Sequence, residues 1–471
     1  MIGRQERWQE DLFVAGPLRE LIPDDHILKR AQKVLDLSWL RDEVRESYCE
    51  ENGRPSIDPE SAVRLMLAGF FEGIVHDRKL MRQAQVNLAI RWFAGYRLHE
   101  ALPEHSSLTR IRQRWGPERF KRIFQKTVQA CVKAGLVDAE TVHVDATLIR
   151  ADVSWESLVE VHAEKVLTEN PEEPDDSPDK GAKPSKPKKR STTDPDATMT
   201  TNRNDQRLEP SYKQHTAVDD KSGIVVDVEV TTGDQNEGQQ LLGQLERVEE
   251  VTGKAVRCAT ADGSYAHAAN YAALEERGTE AVIPPREARL GKWLPLVRFK
   301  YDARHDVVRC PAGRKLGRAS RAGNGWWYRA SVKDCRRCAL RARCFSAKLA
   351  ARVVRIVDGY PALLRARRKR LRWDDATYEK YVRHRWRVEG VHGIEKTQHG
   401  LRRAARRGLW NVRIQSFLTA AVMNLKRLAA PLLALFFRCI GRRTRVEVIA
   451  PCRDEFSRGR IDSGAPLRRA A

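Results

Sequence analysis

The sequence predicts an α/β fold built on a mixed five-stranded sheet, preceded by an all-helical N-terminal domain and interrupted by a Cys-containing insert. Three observations carry that prediction. Residues 136–283 run in the order strand, hairpin of two strands, helix, strand, helix, strand, with period-two alternation giving way to helical spacing. Residues 1–135 show helical patterns separated by short breakers. Residues 284–370 break the order with cysteines and arginines before helices return at 371–440.

Bulk properties narrow the class. A chain of 471 residues, 41% hydrophobic, is long enough for two or three domains. The net charge of +23 concentrates polyanions around the molecule, which makes nucleic acid the first partner to consider; a charge that only keeps the protein soluble is the alternative. The start "MIGRQERWQEDLF" mixes charge signs and lacks the apolar segment of an export signal, so the expected location is cytoplasmic. The run "LAAPLLALFF" at 428–437 is shorter than the ~18 residues that span a bilayer and contains Pro431, so core or oligomer interface is expected and membrane insertion is not. Nine cysteines without an export signal argue against a disulfide framework and turn attention to metal.

Along the chain, "DPESAVRLMLAGFFEGI" opens a helix with Asp58 as cap and Pro59 at its first position. "SSLTRIRQRW" begins another that carries Arg110, Arg112 and Arg114, which suits either DNA docking or an ordinary solvated face. "TVHVDATLIR" at 141–150 is a strand with Asp145 in its middle. The Pro-rich, charged stretch 168–193 is expected to be a flexible insert. "YKQHTAV" and "IVVDVEV" form a hairpin about "DDKSG"; Asp234 and Glu237 are expected to open the next helix, which stops near Gly253. "KAVRCATAD" is a strand ending at Asp262, and "HAANYAALEERG" and "EAVIP" complete the unit. Beyond 441 a basic, irregular tail follows.

In "YVRHRWRVEGVHGIEKTQHGLRR", Tyr381, Arg385, Glu389, His392, Lys396 and His399 recur every three or four residues and so share one helical stripe ending at Gly400. Asp145, Asp262 and Glu389 are the candidate catalytic and metal-binding residues. Carboxylates delivered by rigid, converging elements can hold two divalent cations about 3.5–4 Å apart and support in-line phosphoryl displacement. Each acid also has a plainer reading: a solvent-facing strand residue, a turn former, and half of an Arg385–Glu389 surface pair.

The sequence resembles bacterial insertion-sequence transposases of the DDE type over most of its length. "GRPSIDPE" resembles the family's N-terminal domain, "VDAT" its first catalytic strand and "ADGSY" its second. The family signature Tyr-x2-Arg-x3-Glu-x6-Lys is met by Arg385, Glu389 and Lys396; the tyrosine place holds Val382, with Tyr381 one residue early. The resemblance implies a ribonuclease H-like core, the three acids as ligands of two Mg²⁺ or Mn²⁺ ions, and Arg385 and Lys396 on DNA phosphates. It further implies double-stranded DNA partners, namely the element's terminal inverted repeats and target DNA, and action at the nucleoid. Because two DNA ends must meet, a homodimer or larger assembly is expected. The rivals are a non-catalytic DNA-binding relative and a nuclease of the same fold that does not transpose.

Cys310, Cys335, Cys338 and Cys344 could bind Zn²⁺ or remain reduced thiols. "NGWWYRA" offers Trp326, Trp327 and Tyr328 for base stacking or for the insert's own core. Arg402, Arg403, Arg406 and Arg407 form a cationic segment suited to the DNA backbone.

Overall fold

The computed structural model describes residues 16–49, 56–161, 188–201, 208–286 and 292–439. The chain divides into two compact units, Met1–Ala429 and Ala430–Ala471, and the first contains all the sheets and the candidate site. Among the described residues no helix is long and apolar enough to cross a membrane.

The N-terminal region is helical, as the periodicity predicts. Asp58 accepts a hydrogen bond from the Ser61 amide at 3.0 Å and Pro59 takes the first position of the helix Pro59–Phe71, so the expected cap is the observed one. The helix His105–Lys133 is kinked at Gly116, whose φ of +69° precedes Pro117. Proline cannot donate to the preceding turn, and the break lets the second half turn onto the sheet. There it packs against the helix Leu241–Thr252, and Phe124 stacks on Phe417 at 6.3 Å. One apolar core therefore runs from Leu28 and Leu65 through Phe120 to Val144, Val225 and Leu418.

The strands, in chain order, are β1 (Thr141–Arg150), β2 (Leu158–Val161), β3 (Lys188–Ser191), β4 (Thr198–Thr200), β5 (Glu209–Asp219), β6 (Val225–Thr232), β7 (Cys258–Ala261) and β8 (Glu280–Val282). β1 lies between β5, antiparallel, and β7, parallel; β8 follows β7 in parallel and β6 pairs with β5. The five predicted strands are all present in one mixed sheet. A sixth, β4, joins β5 and was not expected, because three residues are too few to display an alternating pattern. β1 is covered on both faces: Val142 and Val144 are buried, but so are His143 and Thr147.

Two local expectations change. The end of the stretch expected to be flexible is β3, paired antiparallel with β2 through backbone hydrogen bonds that a sequence pattern of "KKRS" does not advertise. Residues 168–187 of that stretch, and the basic tail beyond 441, lie outside the described residues. The helix after the hairpin is preceded by a short turn, Glu237–Gln239, capped by Asn236 and not by Asp234; it stops at Gly253 as predicted.

The Cys-containing segment builds its own antiparallel sheet from β9 (Lys300–Asp302), β10 (Val307–Arg309), β11 (Lys315–Ala322), β12 (Gly325–Ala330) and β13 (Val353–Val357). Tyr328 is buried in its core with Val308, Leu316 and Ile356, and its hydroxyl donates to Asp306. Of the aromatic trio, Tyr328 is thus core. Trp326 is half-buried, with the Arg318 and Arg321 guanidiniums 4.4 and 5.3 Å from its ring.

The stretch containing Glu389 is three consecutive segments: an α-helix Asp375–His384, a π turn Arg385–Glu389 and an α-helix Gly390–Gln398. Gly400 then reverses the chain at φ +67°, where a Cβ would meet Val75 Cγ1 at 2.9 Å. The π turn breaks the single stripe expected from sequence. Arg385 and Glu389 face solvent, whereas His392 and His399 are buried. An i→i+5 turn accommodates one extra residue and rotates everything after it, which regular 100° spacing does not anticipate.

Candidate active site

Asp145 and Asp262 are brought together by sheet register. β1 and β7 are parallel neighbours with Val144 opposite Ala261, so the next residue of each chain, Asp145 and Asp262, stands at the same level on strands about 4.8 Å apart. Asp262 lies where β7 ends, and it also caps the following turn, accepting from the Ser264 amide at 2.7 Å. The π turn that ends at Glu389 packs on β1 and β5.

Negative charge collects around Asp145. Burial raises the Asp145 carboxyl to about 7, with the charges of Asp262, Glu237 and Glu389 adding to the rise and a backbone hydrogen bond from Ala146 opposing it. Burial likewise pushes the Tyr265 phenol well above its ordinary range, reinforced by Asp145, Glu237 and Asp262. A concentration of like charges around a buried carboxylate is what a divalent cation would relieve. Glu237 and Tyr265 are contributors that sequence patterns did not single out as site residues. Glu237 sits in a short turn whose only local signal is capping.

The flanking residues come from the last helical segment. Lys396 Nζ donates to Thr147 Oγ1 at 2.5 Å and is half-buried, so it stands beside the Asp145 strand and not on an open DNA-facing surface. His392 Nδ1 is 3.8 Å from Asp145 Oδ2, beyond hydrogen-bond range, and burial holds its imidazole down to about 3, so the two do not form an ion pair. Glu395 is fully buried and accepts from Gln214 Nε2 at 3.1 and 3.0 Å; burial pushes its carboxyl up to about 8.

Glu395 yields a pH prediction. Its folded pKa exceeds the unfolded value, so its contribution is complete below about 4.5 and is lost as pH rises through about 8. Glu395→Gln is therefore expected to stabilise the protein by on the order of 2 kcal/mol at pH 8 and to match wild type at pH 4.5. Urea unfolding at the two pH values checks this; equal stabilities at pH 8 would refute it.

Glu389 is exposed, and Arg385 Nε donates to its Oε1 at 3.3 Å. Among the described residues no group of three or more His, Cys, Asp or Glu is drawn together tightly enough to hold an ion. The donor chemistry of Asp145, Asp262 and Glu389 nevertheless fits a hard divalent cation: oxygen ligands from three elements with mutual repulsion at Asp145. The cysteines fare differently. Cys335 and Cys344 are buried, Cys310 and Cys338 half-buried, and burial raises the Cys344 thiol above its ordinary value. Among the described residues these cysteines do not form a group close enough to hold an ion, so the geometry lends the Zn²⁺ reading no support.

The expected DNA-facing cations also divide. Arg402, Arg403 and Arg407 are exposed, although Arg403 pairs with Asp152 at 3.0 Å. Arg406 does not belong with them: it pairs with buried Asp77 at 2.7 Å. Arg112, expected on a basic docking helix, is 3% exposed and pairs with that same Asp77. Charge spacing in a sequence does not show which cations find a buried acid. If the segment binds the DNA backbone, replacing Arg402, Arg403 and Arg407 together is expected to lower the slope of log affinity against log salt by about 0.9 for each phosphate no longer neutralised. Fluorescence anisotropy over a salt series measures it, and an unchanged slope removes these residues from the interface.

Residues 17–114 match the model described as Transposase domain (DUF772), and residues 309–429 match Transposase DDE domain, which includes Glu389. No curated protein matches significantly. Among solved structures, the Mos1 transposase paired-end complex with left transposon end is similar at 15% identity and a TM-score of 0.17, covering 52% of this chain and 65% of the Mos1 chain. The piggyBac transposase synaptic complex with hairpin DNA is similar at 10% identity and a TM-score of 0.29, covering 90% of this chain and 80% of that one. Both superpositions are loose and carry no argument. The two domain matches show that the chain contains a transposase domain and a transposase DDE domain.

Proposed function

We propose that the protein cuts the ends of an insertion sequence and joins the released 3′-hydroxyl to target DNA, using a ribonuclease H-like core in which Asp145, Asp262 and Glu389 are the catalytic acids. The observation that carries this reading is the alignment of Asp145 with Asp262 on adjacent parallel strands, together with the raised Asp145 carboxyl. The three carboxylates would hold two Mg²⁺ or Mn²⁺ ions, which would supply Lewis-acid activation of the attacking oxygen and neutralisation of charge at the leaving oxygen.

In the first step a water oxygen forms a bond to phosphorus while the bond from phosphorus to the 3′-oxygen breaks, leaving a 3′-hydroxyl and a 5′-phosphate. In the second, that hydroxyl attacks a target phosphodiester and displaces the target's own 3′-oxygen. Each step replaces one phosphorus–oxygen bond by another, and no serine or tyrosine of the protein need form a covalent intermediate. Arg385 neutralises Glu389 in the metal-free protein and would turn to a DNA phosphate once that carboxylate takes up a cation. The helical N-terminal region would recognise the terminal repeats, and a homodimer or larger assembly would bring two ends together at the nucleoid.

The test is an assay of end cleavage and of joining with precleaved ends, with and without Mg²⁺. Metal-dependent cleavage and joining support the reading. Cleavage without joining identifies a nuclease, and DNA binding with neither activity identifies a non-catalytic relative.

A further inference from the structure

One hydroxyl links both aspartate strands to the glutamate helix. Thr260 Oγ1, on β7, lies 2.6 Å from His143 Nδ1 on β1 and 3.1 Å from His384 Nδ1 at the end of the helix Asp375–His384. His143 Nε2 continues to Asp220 Oδ1 at 3.0 Å. His143 and Thr260 are 0% exposed and His384 is 4% exposed. A hydroxyl has a single proton, so Thr260 donates to one imidazole and accepts from the other, and both contacts are satisfied at once.

The placement of these residues relative to the acids is regular. His143 is two residues before Asp145 and Thr260 two before Asp262; strand period places each on the same side of the sheet as its aspartate. His384 immediately precedes the π turn that ends at Glu389. A π turn can migrate along a helix unless something fixes where the extra residue sits. Asp220 ties the same turn from outside, with Arg383 at 3.2 Å and Arg387 at 3.5 Å on either side of His384.

We propose that His143, Thr260 and His384 are positioning residues, a buried hydrogen-bonded chain that holds two strands and one helix in the register that aims Asp145, Asp262 and Glu389 at a common point. This rests on the reading of those three acids as the catalytic set. The chain touches neither substrate nor metal; it acts through the backbone segments that carry the acids. Displacement of a catalytic group by about 1 Å can cost about 100-fold in rate.

The test compares Thr260→Val, which keeps the shape and removes the hydroxyl, with Thr260→Ser, which keeps the hydroxyl. Thr260→Val is expected to lower kcat for cleavage by about 10- to 100-fold with KM for DNA unchanged, and to raise by about tenfold the Mn²⁺ concentration at half-saturation measured by electron paramagnetic resonance. Thr260→Ser should restore both to within about threefold of wild type. The double variant Thr260→Val with His384→Phe should be no worse than the more impaired single, because both break the same chain. In metal-free protein, amide exchange at 384–389 should be faster in Thr260→Val. Wild-type behaviour of Thr260→Val, or a Thr260→Ser variant as impaired as Thr260→Val, would overturn the proposal. If wild type itself cleaves no DNA, the catalytic reading falls on its own account, and unchanged amide exchange would then also remove the pinning.

Discussion

Asp145→Asn is expected to reduce metal-dependent DNA cleavage by on the order of 1,000-fold or more while leaving affinity for DNA unchanged. The substitution keeps the size of the side chain and removes its capacity for negative charge. Asp145 is the acid on which the local field converges: it is largely buried, and Asp262, Glu237 and Glu389 all raise its proton affinity. Losing several kcal/mol of transition-state stabilisation at such a position corresponds to that factor in rate. Glu237→Gln provides the control. Glu237 shares the field but pairs with Lys213 at 3.2 Å, and its loss should cost about tenfold or less. Single-turnover cleavage with Mg²⁺, alongside a binding titration in Ca²⁺, separates the two effects. Asp145→Asn with wild-type cleavage would eliminate the proposed site.

Asp77→Ala is expected to destabilise the fold by about 3–5 kcal/mol, the cost of leaving buried guanidinium charge unpaired. Asp77 is 7% exposed and receives both Nη atoms of Arg112 at 2.7 Å, and Arg406 Nη2 at 2.7 Å from the far end of the chain. Burial alone would raise this carboxyl, but the two guanidiniums outweigh it and hold it below the usual carboxylate range. Its folded pKa is therefore depressed, so its contribution is present above the unfolded value of about 3.8 and is lost as pH falls through the folded one. The contrast is Asp42→Ala. Asp42 pairs with Arg45 at 2.9 Å, but the two side chains are 77% and 68% exposed, so solvent screens the pair and its removal should leave the urea midpoint close to that of wild type. Urea denaturation at pH 7 distinguishes them; equal midpoints for the two variants would show that Asp77 is not an anchor between the helical region and the segment after Glu389.

Much of the secondary structure was legible because its causes are local. The Asp58 cap, the Pro59 start and the stops at Gly253 and Gly400 each depend on backbone geometry within a turn. The strand containing Asp145 alternates over eight of its ten residues, 141–148, whereas β4 and β3 are too short or too polar to announce themselves. The helix of Glu389 was legible as a helix but not in phase. Its π turn packs on β1 and β5 and follows His384, which meets Thr260, and none of those contacts is visible in the spacing of its own residues.

From the sequence alone came the order of elements and the basic character of the chain, because periodicity, capping and composition are properties of neighbouring residues; the three acids came from it only as candidates, through the family resemblance. Tertiary structure decided which charges remain outside. Arg112 and Arg406 look like surface cations in their own segments, yet both turn inward to Asp77. It also decided that Glu237 and Tyr265 join the acidic cluster and that one threonine hydroxyl links both histidines. The physical reason is that a charge or hydroxyl selects its partner among groups brought near by packing, and desolvation makes that choice binding only once the chain is folded.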